Sequence, residues 1–192
     1  MNFLKAIKRT AALAIATASL AVQAAPVRAT ASYDEMWEDH MVLVRVIQEH
    51  GVQVHVNYKT CGTEGMEHAL GYYQGLRRLL VVCQQAGSNT GAHYTWSRED
   101  FDTLRHEAQH FIQDCRRGGR HDHELWPMYR NPMAFARGIL GEEYVAHILK
   151  SYGDRGASTE TLILEAEAFA VAAQNDPIEQ ARDVIKYCGP KR

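Results

Sequence analysis

The feature that most constrains this 192-residue chain is a pair of histidines four residues apart, in the run Arg105-His106-Glu107-Ala108-Gln109-His110-Phe111. On an α-helix, residues four apart lie on the same face, so His106 and His110 can offer imidazole nitrogens to one metal ion. Glu107 is turned by about 100° from His106 and lies beside the pair. The pattern predicts a metal site in which Glu107 accepts a proton from metal-bound water without being a ligand.

The residues around the motif predict the helix that such a site needs. Ser97 is a good N-cap, and the acidic residues that follow it suit the first turn of a helix. Apolar residues then recur every three or four positions and form one stripe, roughly opposite the two histidines: Phe101, Leu104, Ala108, Phe111, Ile112 and Cys115. The competing interpretation is a solvated polar face, with the two histidines in water and the fold stabilised by disulfides alone.

Residues 1–24 have the pattern of a bacterial secretory signal peptide. A basic start precedes an apolar run, and Val22-Gln23-Ala24 has small residues at the positions that a signal peptidase reads. The apolar run is shorter than the ~20 residues that span a bilayer, so we expect no stable membrane anchor after cleavage. Cleavage after Ala29 is the alternative. We expect a periplasmic or secreted protein in which residues 25–192 form one domain.

The charge of the mature chain argues against some partners. Without the three cations of the signal peptide, 18 Lys and Arg stand against 23 Asp and Glu, a formal charge of −5. Neither nucleic acid nor an anionic membrane surface is an expected partner of such a chain. The sequence does not predict an oligomeric state.

The four cysteines all lie in the expected mature chain, and an even number in an exported protein predicts two disulfides. Three pairings are open. We favour Cys61 with Cys83, which clips one β segment, and Cys115 with Cys188, which ties the motif helix to the C-terminus. Cysteine ligands to a metal are a weak alternative, because the chain has no Cys-x-x-Cys pair.

The rest of the chain predicts an α+β fold. A capping box at Ser32 predicts the start of a helix that ends at Gly51. A strand is predicted at 52–56, and two β segments at 69–74 and 77–84 are predicted to form a hairpin near Gly75. A loop at 85–94 and the motif helix follow, then an irregular segment and a helix at 133–152. We expect a small sheet with the motif helix packed behind it and a helical C-terminal half.

A third metal ligand is expected from the helix predicted at 159–174, where two glutamates interrupt an apolar run. Glu167 has apolar neighbours on both sides at helical contact spacing, whereas Glu165 has a more mixed setting. A carboxylate on an apolar face is costly unless a charge or hydrogen bonds compensate it, and a divalent metal would do so. Glu167 is therefore preferred, and Glu165 stays open. A His121-x-His123 pair in the irregular segment is a further alternative, as ligands or as substrate contacts.

These two motifs together resemble the gluzincin class of zinc metallopeptidases, which have His-Glu-x-x-His on one helix and a ligating Glu on a later one. The run Glu165-Ala166-Glu167-Ala168-Phe169-Ala170 looks like the glutamate helix of the lethal-factor type, in which the second Glu is the ligand. A metzincin would need Gly and His where the chain has Gln113 and Arg116. The resemblance covers only the two motif helices.

The resemblance implies a zincin-like fold and a zinc-dependent peptidase that hydrolyses peptide bonds. It implies Zn²⁺ bound by His106, His110 and Glu167, with Glu107 as general base and a protein or peptide as substrate. An oxyanion-stabilising group is also expected, and the candidates are Tyr129, Tyr144, His121, His123 and His147. A strand near Leu79 to Val82 is expected to form the edge that aligns the substrate. The alternative is a non-catalytic secreted protein with a structural zinc site or a partner-binding cleft.

Overall fold

The computed structural model of the protein describes residues 32–84, 95–116 and 124–189. Within these ranges the chain forms six α-helices and one three-stranded sheet, so the expected α+β class is confirmed. The predicted signal peptide at 1–24 and the predicted loop at 85–94 lie outside the described residues. No helix in the described ranges combines the length and apolar character needed to cross a membrane.

The first helix, α1 (Tyr33–Glu49), begins where the sequence predicts. The Glu35 backbone N–H donates to the Ser32 hydroxyl (3.2 Å), and the Ser32 backbone N–H donates to the Glu35 carboxylate (2.8 Å), which completes a capping box. The apolar face of α1 packs on the main core. The helix is followed by Gly51 at φ +83°, a conformation that costs glycine least. Both predicted ends of the helix are confirmed.

Three strands of four residues form the sheet: β1 (Gln53–Val56), β2 (Gly71–Gln74) and β3 (Leu79–Val82). Their order is β1–β3–β2, with β3 parallel to β1 and antiparallel to β2. The β2–β3 hairpin is confirmed. Because β3 is paired on both sides, the expectation that Leu79 to Val82 forms an edge is wrong, and among the described strands β1 and β2 form the edges.

The His-Glu-x-x-His motif lies on α2 (Arg98–Arg116). The Asp100 backbone N–H donates to the Ser97 hydroxyl (3.1 Å), so the predicted N-cap is confirmed. The predicted apolar stripe is buried, and so is the opposite side, because the sheet covers one side of α2 and C-terminal helices cover another. His106 and His110 are only 2% and 6% exposed, so the interpretation in which they face water is wrong.

The C-terminal half consists of four helices: α3 (Pro132–Leu140), α4 (Glu142–Gly153), α5 (Thr159–Gln174) and α6 (Pro177–Cys188). The single helix predicted at 133–152 is wrong, because Gly141 at φ +82° separates α3 from α4. The bounds of α5 agree with the sequence. The sequence reasoning missed α6, although the Asp176 side chain caps it by accepting from the Glu179 backbone N–H (2.8 Å).

Helix α5 is the centre of the C-terminal half. It packs against α2, α3 and α4, so residues on opposite sides of the helix are buried. One side faces the motif helix α2, and the other sides face α3 and α4. This arrangement decides which of the two glutamates on α5 reaches the histidines.

Both predicted disulfides are confirmed. Cys61 is bonded to Cys83, and Cys115 at the end of α2 is bonded to Cys188 at the end of α6. No free cysteine remains, and two disulfides agree with an oxidising compartment.

Candidate metal centre

The two motif histidines point the same ring nitrogen toward one place. Their Nε2 atoms are 3.1 Å apart and their ring planes are 85° apart. The helical spacing of four residues brings the rings together, as the sequence predicts. Because both rings are buried, a group held between them would be shielded from bulk water.

Helix α5 supplies a third donor, the carboxylate of Glu165, which is 5% exposed. Its Oε2 lies 3.1 Å from Nε2 of His106, and its Oε1 lies 3.3 Å from Nε2 of His110. The donor atoms of the three residues all lie within 4.8 Å of one another. No other group of three His, Cys, Asp or Glu side chains with this geometry occurs in the described ranges.

The distances fit a four-coordinate metal. In a tetrahedral zinc site with ligands at about 2.0–2.1 Å, neighbouring donor atoms are about 3.3–3.4 Å apart. Here the two histidine Nε2 atoms are 3.1 Å apart, and the His106 and His110 nitrogens lie 3.1 Å from Oε2 and 3.3 Å from Oε1 of Glu165, respectively. Two imidazoles and one carboxylate would occupy three corners and leave the fourth open. His106, His110 and Glu165 could therefore hold a metal ion.

The two histidines and the Glu165 carboxylate shift one another's pKa values. Burial by itself would raise the pKa of Glu165, but His110 and His106 beside it outweigh burial and hold that pKa well below its ordinary value. Burial would lower the pKa of His110, but the Glu165 carboxylate raises it to about 9. Burial lowers the pKa of His106. The cluster thus contains an ionised carboxylate facing two ring nitrogens.

Glu107 lies beside the cluster, against the edge strand β2. A Cβ atom added to Gly71 of β2 would come within 3.2 Å of its Cγ, which shows how closely the side chain packs on the strand. The residue is 2% exposed, and burial raises the pKa of its carboxyl to about 8. Glu107 is not a member of the three-donor group.

Glu167, the preferred third ligand from the sequence, is not brought to the histidines. On a helix, residues two apart point about 200° away from each other, so Glu165 and Glu167 face different sides of α5. The Glu167 carboxylate is fully buried and accepts hydrogen bonds from four donors: the Gln109 and Gln113 side chains and the Met128 and Tyr129 backbone N–H groups. The preference for Glu167 is therefore corrected to Glu165, because hydrogen bonds rather than a metal compensate the buried charge of Glu167.

The oxyanion candidates that lie within the described ranges, Tyr129, Tyr144 and His147, are not in the cluster. Tyr129 stacks on Phe135 at 3.7 Å, and its backbone binds Glu167. Tyr144 and His147 stack on each other at 6.4 Å on α4. His121 and His123 lie outside the described residues.

A different tyrosine, Tyr152 of α4, faces the cluster. Its hydroxyl is buried, and it has no hydrogen-bond partner of full geometry among the described residues. Burial and the nearby carboxylates of Glu165 and Glu107 raise its pKa well above the ordinary value. Its ring packs on Phe169 (6.2 Å between centroids), which in turn packs on His106 (4.4 Å). Sequence reasoning missed Tyr152, because a tyrosine on the apolar face of a helix reads as a core residue.

Comparison with known proteins adds no relative. No protein family matches the chain, and neither a curated protein nor a solved structure matches it significantly.

Proposed function

We propose that this chain is an exported zinc-dependent peptidase of the gluzincin kind, with a zincin-like fold and protein or peptide substrates. In this proposal His106, His110 and Glu165 bind Zn²⁺, and Glu107 is the general base. The observation that carries it is the convergence of three buried donors from two helices, with a second acidic residue, Glu107, beside them in a His-Glu-x-x-His motif.

Each group beside the donors has a role in peptide hydrolysis. Zn²⁺ would supply Lewis acidity and lower the pKa of a water molecule at its open position. Glu107 would take a proton from the attacking water and pass it to the leaving amine. Tyr152, whose buried hydroxyl has no hydrogen-bond partner of full geometry among the described residues, would donate to the carbonyl oxygen as negative charge develops there.

The edge strand β2 supports a peptide as the substrate. It is paired only with β3 among the described strands, so its other edge could bind an extended peptide by main-chain hydrogen bonds. Gly71 of this strand packs directly on Glu107. A peptide on β2 would therefore lie next to the proposed base.

A structural zinc site in a non-catalytic exported protein is the second candidate. The burial of all three donors favours it, because structural zinc sites are closed whereas catalytic sites keep an open position. In such a protein the metal would join α2 to α5, and Glu107 would have no chemical task. A partner could then bind along the edge of β2 without being cleaved.

The first experiment is metal content by mass spectrometry on the purified mature protein after saturation with zinc. Iron, manganese and copper should be measured as well, since two imidazoles and a carboxylate also suit those ions. We expect stoichiometric zinc in the wild type and little in His110→Ala or Glu165→Gln. Glu167→Gln should keep zinc at saturation, and Glu160→Gln, an exposed charge change on the same helix, is the matched control. A wild type without metal would exclude both candidate functions.

A further inference from the structure

Gln113 is a fully buried amide in contact with one of the proposed ligands. Its Oε1 lies 2.8 Å from Nδ1 of His110. Its Nε2 donates to the Glu167 carboxylate (3.0 Å) and to the Leu164 backbone carbonyl (3.2 Å). The amide therefore joins the metal cluster on α2 to the buried acid on α5.

The partners of Gln113 determine which way its amide points. Both acceptors beside Nε2, the Glu167 carboxylate and the Leu164 carbonyl, have only lone pairs to offer. A flipped amide would place Oε1 against these two oxygens and leave them without donors. Oε1 must therefore face His110, where it can only accept a hydrogen bond.

This orientation selects the state of the His110 ring. Because Oε1 of Gln113 accepts, Nδ1 of His110 must carry a proton and donate it. The other nitrogen, Nε2, is then the one that can offer its lone pair to a metal, and it is the nitrogen that faces Glu165 at 3.3 Å. His106 lacks this control in the described part of the chain, since its buried Nδ1 has no partner there.

The Glu167 carboxylate that accepts from Gln113 is itself held by backbone hydrogen bonds. Its two oxygens also accept from the Met128 and Tyr129 backbone N–H groups at 2.9–3.0 Å, which tie the carboxylate to the segment before α3. A charge-assisted hydrogen bond to a buried carboxylate is stronger than one between neutral groups. The carboxylate is thus well placed to prevent rotation of the Gln113 amide.

We infer that Glu167 and Gln113 are positioning residues that act in series on His110: the acid orients the amide, and the amide keeps the His110 ring proton on Nδ1 so that Nε2 is free for the metal. The inference rests on the proposed metal site. It gives Glu167 a role in that site through a chain of two hydrogen bonds, without ligation.

Gln109 provides a matched control for this chain of contacts. Like Gln113 it is a buried glutamine of α2, and its Nε2 donates to the same oxygen of Glu167 (3.3 Å). It has no hydrogen bond to either histidine in the described structure. If Glu167 merely stabilises the packing of α2 on α5, loss of Gln109 and loss of Gln113 should have similar effects.

The test compares Gln113→Leu with Gln109→Leu in the full mature protein. Zinc affinity is measured by competition with a chelator, and long-range proton–nitrogen NMR of the zinc-loaded protein identifies the His110 ring nitrogen that carries the proton. We expect Gln113→Leu to weaken zinc binding by about 10- to 100-fold and to lose the protected Nδ1–H signal. Gln109→Leu should keep both. Glu167→Gln, which turns one acceptor into a donor, should weaken binding and broaden the same signal.

The outcomes separate the two proposals. Equal zinc affinity and an unchanged His110 signal in Gln113→Leu and Gln109→Leu would overturn the positioning role while leaving the metal site intact. If Gln113→Leu does not fold, Glu167→Gln provides the same two readouts, and an unaltered Nδ1–H signal there overturns the inference. A wild type that binds no zinc overturns the proposed function and the inference together.

Discussion

The carboxylate of Glu165 lies 3.1 Å from Nε2 of His106, although the two residues are separated by 59 positions in the chain. This contact between α5 and α2 converts a local histidine pair into a three-donor cluster. It also leaves Glu107 beside the donors rather than among them. The chemical consequences of this arrangement can be tested residue by residue.

Glu107→Gln should keep the metal and lose peptidase turnover. Removal of a general base typically costs about 10²- to 10⁴-fold in rate, whereas the ligand set is unchanged. Turnover is measured on a mixture of unstructured peptides, and bound zinc is measured on the same samples. Glu160→Gln serves as the charge control. A zinc-loaded wild type without turnover would favour the structural-zinc candidate, and a Glu107→Gln variant with wild-type turnover would show that Glu107 is not the general base.

Tyr152→Phe should lower activity while raising stability. The buried hydroxyl has no hydrogen-bond partner of full geometry among the described residues. Because burying such a group costs free energy, its removal should stabilise the fold by about 1 kcal/mol. Loss of an oxyanion donor should reduce kcat by about 10²-fold with little change in KM. Thermal unfolding and steady-state kinetics check the two effects.

Tyr144→Phe on the same helix is the control for Tyr152→Phe and should change neither quantity. A destabilised Tyr152→Phe would mean that the hydroxyl has a structural partner, and unchanged kcat would remove Tyr152 from the proposed mechanism.

The stability of the fold should decrease with acidification because of His40. Its Nδ1 donates to the Met36 carbonyl (2.6 Å), and its ring packs 4.3 Å from Phe101. Its buried Nε2 has no hydrogen-bond partner within the ranges that the structure describes. Burial lowers its pKa to about 4, with the nearby Arg105 as a smaller cause in the same direction. The unfolded chain therefore binds a proton between about pH 6.5 and 4 that the folded chain does not.

This difference lowers the free energy of unfolding as the pH falls through that window, by up to about 1.4 kcal/mol per pH unit. Urea unfolding of wild type and His40→Gln at pH 7, 6, 5 and 4 measures it. The wild type should lose more stability than the variant between pH 6.5 and 4. Parallel curves for the two proteins would show that His40 does not titrate abnormally.

Gly71→Ala should disrupt the contact between β2 and α2. A Cβ at this position would come within 2.5 Å of the Thr103 Cγ2 and 2.8 Å of the Val81 carbonyl oxygen. Overpacking of this kind costs about 1–3 kcal/mol and would displace Glu107 as well. Gly138→Ala is the control, because that site on α3 is open and alanine favours a helix by about 1 kcal/mol.

Thermal unfolding of both glycine variants gives the comparison. We expect a lower Tm for Gly71→Ala and an equal or higher Tm for Gly138→Ala. A Gly71→Ala variant as stable as the wild type would mean that the strand can move away from α2 without cost.

The parts of the fold that could be predicted are those whose helix caps and turns depend on residues close together in the sequence. The Ser32 capping box, the Ser97 cap and the hairpin near Gly75 each depend on local hydrogen bonds or turn geometry, so local patterns indicated them. The break at Gly141 was harder to predict, because a glycine inside a periodic pattern can be tolerated as well as end a helix. The disulfide pairs were favoured from their expected positions and are confirmed.

The choice between the two glutamates of α5 could not be made locally. The apolar neighbours of Glu167 correctly indicate burial, but they do not tell whether a metal or hydrogen bonds compensate its charge. Glu165 is equally buried, because α5 is packed on several sides. The backbone donors of Glu167, at Met128 and Tyr129, come from a segment about 40 residues away, which no spacing rule connects to α5.

The sequence by itself determined the histidine pair on one helix face, because a spacing of four residues is a property of the helix alone. It also determined the acidic residue beside that pair. Only the tertiary structure decided that Glu165 meets the histidines, that Glu167 reaches His110 through Gln113, and that Tyr152 faces the cluster. The physical reason is that these contacts depend on how α5 and α4 are rotated against α2, which the packing of the whole C-terminal half sets.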